Sequence, residues 1–325
     1  MNQSPLLKCA FGIAFSVISA LAVAQEKWDL ATAYPDTNFH TKNLRQFVEE
    51  IDKATGGKLK ITIHSNASLY KANEIKRAVQ TGQAQGGEVV ISTLGNEAPI
   101  FGLDGLPGLV TGYDDASKLW RVSKASTEAK LASQGVKLLY SVAWPPNGIH
   151  TVKPIESIND LKGIKWRAYN QITTRMGELI GARSVTIQGA ELSQALATGV
   201  LEAVATSAPT AVDSKMWEYT KYYYDASLLM TKNAVIVNQK AFDALPKDVQ
   251  DAVTKAAVTA EGRGWKASEE GDQISKAELT KHGVKVQKPN PQLKTELQKV
   301  SDIIVAEWLK QAGADGKAIL DAYRK

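Results

Sequence analysis

The chain has 325 residues, of which 44% are apolar, so it is long enough to bury a large core and is expected to divide into two domains. Its 39 basic and 34 acidic residues give a formal net charge of +5. Both signs are spread along the sequence, which predicts a solvated surface and no clustered nucleic-acid-binding patch. Cys9 is the only cysteine, which excludes disulfide bonds within the chain and, beyond that residue, thiol catalysis and thiolate metal sites.

The first 24 residues have the features of a cleavable signal peptide. Lys8 precedes an apolar run at residues 10–23, and small residues stand just before Gln25. A membrane anchor is the alternative, but the run is shorter than the ~20 residues that a spanning helix needs. Cys9 precedes the run and is not placed to carry a lipid. We therefore predict cleavage before Gln25 and a periplasmic location.

Strand and helix patterns alternate through the next third of the chain. Strands are predicted at residues 28–33, 59–63 and 88–92, where apolar residues alternate or run together. The first intervening helix starts near Thr41 and ends at Gly56, and a second follows the next strand. This β-α-β-α order predicts a mostly parallel sheet with helices on both faces.

The rest of the chain repeats this alternation and ends in helices. A helical pattern runs from Pro246 to about Lys281, a length that predicts a helix lying across two lobes. We predict an α/β fold of two lobes with mixed, mostly parallel sheets. The further predicted segments are strands at 136–140, 164–169, 201–206, 234–238 and 283–287, and a terminal amphipathic helix that contains residues 293–308. The predicted division gives lobe 1 residues 25–147 and about 237–260, and lobe 2 residues 148–236 and about 261–325.

Motifs of catalytic and nucleotide-binding sites are missing from the sequence. It contains no G-x-S-x-G, no H-E-x-x-H and no phosphate-binding glycine loop, and its four histidines are scattered. We therefore predict no catalytic residues, no metal site and no cofactor. A periplasmic lyase or hydrolase is the alternative, and its best acid–base pair is Glu88 with His40 or His150.

Several stretches resemble the solute-binding subunits of tripartite ATP-independent periplasmic (TRAP) transporters. The resemblance covers nearly all of the chain after residue 24. It implies a two-lobed periplasmic-binding-protein fold, a long helix spanning both lobes, and delivery of a small organic acid to TRAP membrane permease subunits. A receptor for an ATP-driven transporter is a second alternative. The stretches are TGGKLKI (55–61), NASL (66–69), AVQTG (78–82), LKGIKWRAYN (161–170) and ELSQALATGVLEA (191–203).

The resemblance also implies a carboxylate anchor. In that family the arginine of the LKGIKWRAYN stretch typically binds the substrate carboxylate, and here it is Arg167, whose planar guanidinium offers two parallel donors. An asparagine often follows the ELSQALATGVLEA stretch, but this chain has Thr206 and Ser207 there, so we expect the Ser207 hydroxyl to replace it. Asn170 is either a second arm of this clamp or the cap of the next helix.

Other candidate ligand-binding residues stand near the ends of predicted strands, where open α/β sheets bind ligands. Trp144 lies at a predicted crossing between lobes, and its ring either stacks on the ligand or packs the hinge. Because one arginine and several aromatic residues are expected at the cleft, we predict a receptor for a monocarboxylate with an apolar or aromatic part. We expect a monomer, because closure of the lobes needs free surfaces. The remaining candidates are Tyr34, Asn38, Phe39, Glu88 and Ser92.

Overall fold

The computed structural model describes residues 25–325, and the predicted signal peptide, residues 1–24, lies outside this range. Within the described range the strands form two mixed sheets, and no helix there is long and apolar enough to cross a membrane. The strands are β1 (Glu26–Ala31), β2 (Leu59–His64), β3 (Gly86–Val90), β4 (Val136–Ala143), β5 (Gly148–Thr151), β6 (Lys165–Ala168), β7 (Arg183–Thr186), β8 (Ala203–Thr206), β9 (Tyr222–Tyr224), β10 (Lys232–Asn238) and β11 (Lys285–Gln287).

Each sheet is the centre of one lobe. Lobe I contains the strand order β2-β1-β3-β10-β4, in which β1 pairs in parallel with β2 and β3 while β10 is antiparallel to both its neighbours. Lobe II contains β11-β9-β5-β8-β6-β7, in which β6 pairs in parallel with β7 and β8. The helices are α1 (Phe39–Ala54), α2 (Ile75–Gln80), α3 (Pro99–Gly102), α4 (Tyr113–Ala132), α5 (Gln171–Leu179), α6 (Leu192–Ala197), α7 (Ala208–Asp213), α8 (Gln239–Asp243), α9 (Lys247–Lys281) and α10 (Pro291–Arg324).

The chain crosses between the two sheets at residues 144–147, which include Trp144, and again between β9 and β10. The second crossing lies earlier than predicted. All seven residues of β10 pair with lobe I strands, so the predicted boundary at 236/237 falls inside this strand. Because β10 enters lobe I from the other lobe, it runs antiparallel to β3 and β4 instead of extending the parallel part of the sheet.

Helix α9 joins the two lobes, as predicted. It packs on α1 and β4 of lobe I and on α7 and β11 of lobe II. Gly264 allows close packing on lobe I, since a Cβ at this position would lie 2.4 Å from Val142 Cγ2. The next residue, Trp265, packs against three of the hydrophobic core clusters and donates from Nε1 to the Ser141 carbonyl at 2.9 Å. The middle of α9 therefore fixes the region where the lobes meet.

The strand predicted at residues 88–92 is displaced in the structure. Strand β3 starts at Gly86 and ends at Val90, and residues Ile91–Leu94 form a 3₁₀ turn that includes Ser92. Glycine weakens a strand interior, so the sequence pattern predicted that this strand starts at Glu88 and not at Gly86. Here Gly87 is required by packing, because a Cβ at this position would lie 2.3 Å from Ile75 Cγ2 of α2.

Candidate functional site

A cavity of about 280 Å³ lies between the lobes. Its inner end is buried, while its mouth is formed by exposed residues that include Asn73 and Asn96. Residues near the C-terminal ends of β1 and β3 face residues at the C-terminal ends of β6 and β8, the usual position of a ligand in open α/β sheets. Six of the predicted site residues line it, Tyr34, Glu88 and Trp144 from lobe I or the crossing and Arg167, Thr206 and Ser207 from lobe II.

Arg167 lies in β6 on the lobe II wall and is only 5% exposed. Its Nε donates to the Ile187 carbonyl at 3.0 Å, and its Cζ lies 4.8 Å from the centre of the Tyr169 ring. Among residues 25–325 no carboxylate lies within ion-pair distance of this guanidinium, and its Nη atoms make no hydrogen bond. Burial lowers the pKa of Arg167 to about 10, so the side chain stays charged at neutral pH. A buried cation without a counter-ion is suited to bind an anionic ligand.

Two buried hydroxyl residues stand beside the arginine in the cavity wall. Thr206 ends β8, the strand that pairs with β6, and Ser207 follows it. Ser207 Oγ lies 3.1 Å from Thr210 Oγ1, and either oxygen is able to donate in this contact. Because a hydroxyl both donates and accepts, Ser207 is able to turn its proton toward a carboxylate next to Arg167.

The lobe I wall is aromatic. Tyr34 and Trp144 meet edge to face with ring centres 5.1 Å apart, a favourable geometry for aromatic pairs. Both rings are anchored on the same buried atom, since Tyr34 Oη donates to Asn233 Oδ1 at 3.1 Å and Trp144 Nε1 donates to it at 2.8 Å. Burial raises the pKa of Tyr34 above its usual value, so the phenol is neutral. The wall presents a fixed, mostly apolar face to a ligand.

Glu88 is a buried carboxyl in this wall. It is 3% exposed, its Oε2 accepts from Thr32 Oγ1 at 2.7 Å, and its Oε1 lies 3.4 Å from His40 Nδ1. Burial raises the pKa of Glu88 to about 7, against the opposing effect of the hydrogen bond from Thr32. Burial also holds the pKa of His40 well below its usual range, so this histidine is neutral. The contact is therefore not an ion pair between two charged groups at neutral pH.

Four predicted site residues do not line the cavity. Asn38 caps α1 and donates from Nδ2 to Asp213 Oδ2 at 2.6 Å. Phe39 packs on Trp144 with ring centres 5.3 Å apart. Asn170 caps α5, one of the two roles left open for it, and its Nδ2 donates to Ser92 Oγ at 3.0 Å. These side chains cap helices, join the lobes or pack on Trp144 instead of lining the cavity.

Sequence reasoning missed several residues of the cavity wall. Tyr169 was identifiable, because it stands two residues after Arg167 and therefore on the same side of the extended chain. Asn147 ends the predicted crossing, lines the cavity and donates from Nδ2 to Tyr169 Oη at 3.3 Å. Lys76 and Glu97 also line it, but nothing in their sequence surroundings distinguishes them from surface charges. Within the described range no group of His, Cys, Asp and Glu side chains is arranged to hold a metal ion.

Comparison with known proteins identifies the family. The model of the bacterial extracellular solute-binding proteins, family 7 (DctP), matches residues 30–311. The chain belongs to this family. Members of this family are solute-binding receptors, so the predicted family, two-lobed fold and class of function are confirmed.

Solved structures of close relatives have the same fold. DctP6 of Bordetella pertussis, an extracytoplasmic solute receptor binding pyroglutamic acid, is 53% identical, with a TM-score of 0.90 over 92% of this chain and 99% of that one. DctP7 of the same organism, with the same ligand, is 43% identical, with a TM-score of 0.91 over 92% and 99%. A TRAP solute-binding protein of an unidentified marine microbe, specific for pyroglutamate, is 41% identical, with a TM-score of 0.91 over 93% and 99%.

Proposed function

We propose that this chain is the periplasmic receptor of a TRAP transporter and that its ligand is a small cyclic monocarboxylate of the pyroglutamate (5-oxoproline) class. The observation that carries the proposal is the buried guanidinium of Arg167, which faces the cavity without a carboxylate partner among the described residues. The ligands of the three relatives at 41–53% identity support the choice of a lactam acid.

The walls of the cavity suit such a ligand. The ligand carboxylate binds the free Nη donors of Arg167, and the Ser207 hydroxyl donates to the same group. The ring lies against Tyr34 and Trp144. Across the cavity, Glu88 accepts a hydrogen bond from the ring N–H, for which its ionised form is the better acceptor. Because these groups come from both lobes, ligand binding favours the closed arrangement.

In this proposal the receptor acts as a monomer, delivers its ligand to the membrane permease and catalyses no reaction. The candidate acid–base pair next to the cavity, Glu88 and His40, supports this view. A general base must reach the proton that it removes, directly or through one water. His40 is 1% exposed, is not part of the cavity wall and stands behind Glu88. Its low pKa further limits it as a proton carrier at neutral pH.

Titration calorimetry on ligand-free protein tests the proposal. The chain without residues 1–24 is unfolded, dialysed and refolded to remove co-purified acid, and then titrated with pyroglutamate, proline, glutamate and uncharged lactams. We expect pyroglutamate to bind most tightly. Arg167→Ala should weaken binding by at least about 30-fold, because losing one partner of a buried charged pair costs roughly 2–5 kcal/mol. Arg167→Lys should also bind weakly, since an ammonium lacks the two parallel donors.

The matched control is Arg121→Ala, which removes an exposed arginine outside the cavity wall and should leave the affinity unchanged. Equal binding by wild type and Arg167→Ala, or preferential binding of uncharged lactams, contradicts the assignment of the carboxylate anchor.

A further inference from the structure

The cavity contains a second cation, which the chain itself neutralises. Lys76 of α2 lines the cavity wall, and its side chain is only 7% exposed. Its Nζ forms an ion pair with Glu97, whose side chain is 30% exposed and lines the same cavity. Gln134 Nε2 also donates to Glu97 Oε2 at 3.0 Å, which helps to hold the carboxylate in place. Arg167 has no such partner among the described residues.

This difference between the two cations limits the charge of the ligand. One carboxylate satisfies Arg167, and a second carboxylate on the same ligand then needs another cation. The other cation of the wall, Lys76, is already paired with Glu97. A dicarboxylate reaching toward Lys76 must displace Glu97 or place its own charge beside it. Like charges brought together in a partly buried site disfavour binding strongly.

We propose that Glu97 is a specificity-determining residue, which pairs with Lys76 and thereby excludes dicarboxylates from the cleft. This inference rests on the proposed function, because it requires a receptor that anchors an acid on Arg167. It goes further in assigning a role to two cavity residues other than those proposed to bind the anchored carboxylate. Rejection of the wrong ligand by a repulsive group is a common route to specificity when attraction alone does not discriminate.

The test replaces the carboxylate with an amide of the same shape, Glu97→Gln. Ligand-free wild type and variant are titrated with pyroglutamate and with a series of dicarboxylates from malonate to adipate. The series varies the distance between the two carboxylates, so that the second one reaches different distances from Arg167. In the variant we expect at least one dicarboxylate to gain about tenfold or more in affinity, or about 1.4 kcal/mol. Pyroglutamate affinity is measured on the same proteins as the reference, and the ratio of dicarboxylate to pyroglutamate affinity should rise in the variant. Adding Lys76→Gln should abolish the gain.

Glu49→Gln is the matched control, because it makes the same change of charge on an exposed part of α1 outside the cavity wall. It should leave dicarboxylate affinity unchanged, and the thermal midpoint of every variant confirms that it is folded. The inference is overturned if Glu97→Gln still binds pyroglutamate but gains no affinity for any dicarboxylate. It is also overturned if wild type binds dicarboxylates as tightly as pyroglutamate. Failure of the proposed function would give a different result, because wild type itself would then bind no monocarboxylate through Arg167.

Discussion

Burial shifts the pKa values of Arg167, Glu88 and His40 in favour of their neutral forms, but not all three become neutral at pH 7. Arg167 remains charged because its pKa falls only to about 10. Glu88, with a pKa raised to about 7, is divided between its two forms, and His40 is neutral. Among the described residues, the cavity wall therefore has one unpaired positive charge, Arg167, and one carboxyl, Glu88, whose ionisation follows the pH of its surroundings.

The raised pKa of Glu88 predicts a pH-dependent stability. Between about 4.5, its ordinary value, and about 7, the folded state holds a proton that the unfolded state has lost. Stability should therefore fall as pH rises through this window and stay low above it. Glu88→Gln removes the carboxyl that causes this pH dependence. We expect the variant to gain roughly 1–3 kcal/mol over wild type at pH 8 and little at pH 5, measured by urea unfolding of ligand-free protein.

The difference in the free energy of unfolding between wild type and variant, taken at each pH, removes the contribution of the other titrating groups. Glu49→Gln, which makes the same substitution at an exposed position, is measured alongside as the control. A stability difference for Glu88→Gln that is the same at pH 5 and pH 8 would show that the carboxyl titrates normally in the folded state.

The sequence predicted several of the residues that line the cavity. Arg167 was found through the family resemblance, and Glu88, Tyr34 and Trp144 from the ends of strands and the crossing. Lys76 and Glu97 were not found, because their pairing depends on how α2 packs beside the turn after β3, and no local pattern encodes that contact. Side chains that join distant segments are set by tertiary packing.

At the scale of elements, long helices were more predictable than short strands. The bounds of α9 follow from its helical pattern between Pro246 and the glycine after His282, which continues through Gly262 and Gly264. Strands β5, β7 and β9 were not predicted, since they have only three or four residues and show no clear alternation. Their partners come from distant parts of the chain, so pairing within the sheet defines them more than local preference does.

Two glycines two residues apart in α9 give a matched test of its packing. Gly264→Ala should destabilise the protein by about 1–3 kcal/mol, because the new Cβ would lie 2.4 Å from Val142 Cγ2 and 2.7 Å from Asn43 Nδ2. Gly262→Ala should stabilise it by up to about 1 kcal/mol, since nothing lies within 4 Å of a Cβ there and alanine favours the helix. Chemical denaturation measures both, and equal effects would mean that α9 does not pack closely on lobe I.

At the scale of the whole molecule, two side-chain hydrogen bonds join the lobes near the cavity. Asn38, which precedes α1 of lobe I, donates to Asp213 at the end of α7 in lobe II. Asn170, which follows β6 of lobe II, donates to Ser92 in the turn after β3. Three of these residues were predicted to bind ligand. Their observed role is to connect the lobes, which affects the ligand through closure of the cleft.

The Asn38–Asp213 bond predicts a variant that binds its ligand less tightly without any change in the cavity wall. Asp213→Ala removes the acceptor at 2.6 Å, and a hydrogen bond of this kind contributes about 1 kcal/mol to the closed arrangement. We therefore expect about fivefold weaker binding of the acid, expressed mainly as faster dissociation in stopped-flow fluorescence. Asp213→Asn is the matched control, because its amide oxygen still accepts from Asn38. It should remain within about twofold of wild type, and equal losses in the two variants would assign the effect to the charge of Asp213 instead of to the bond between the lobes.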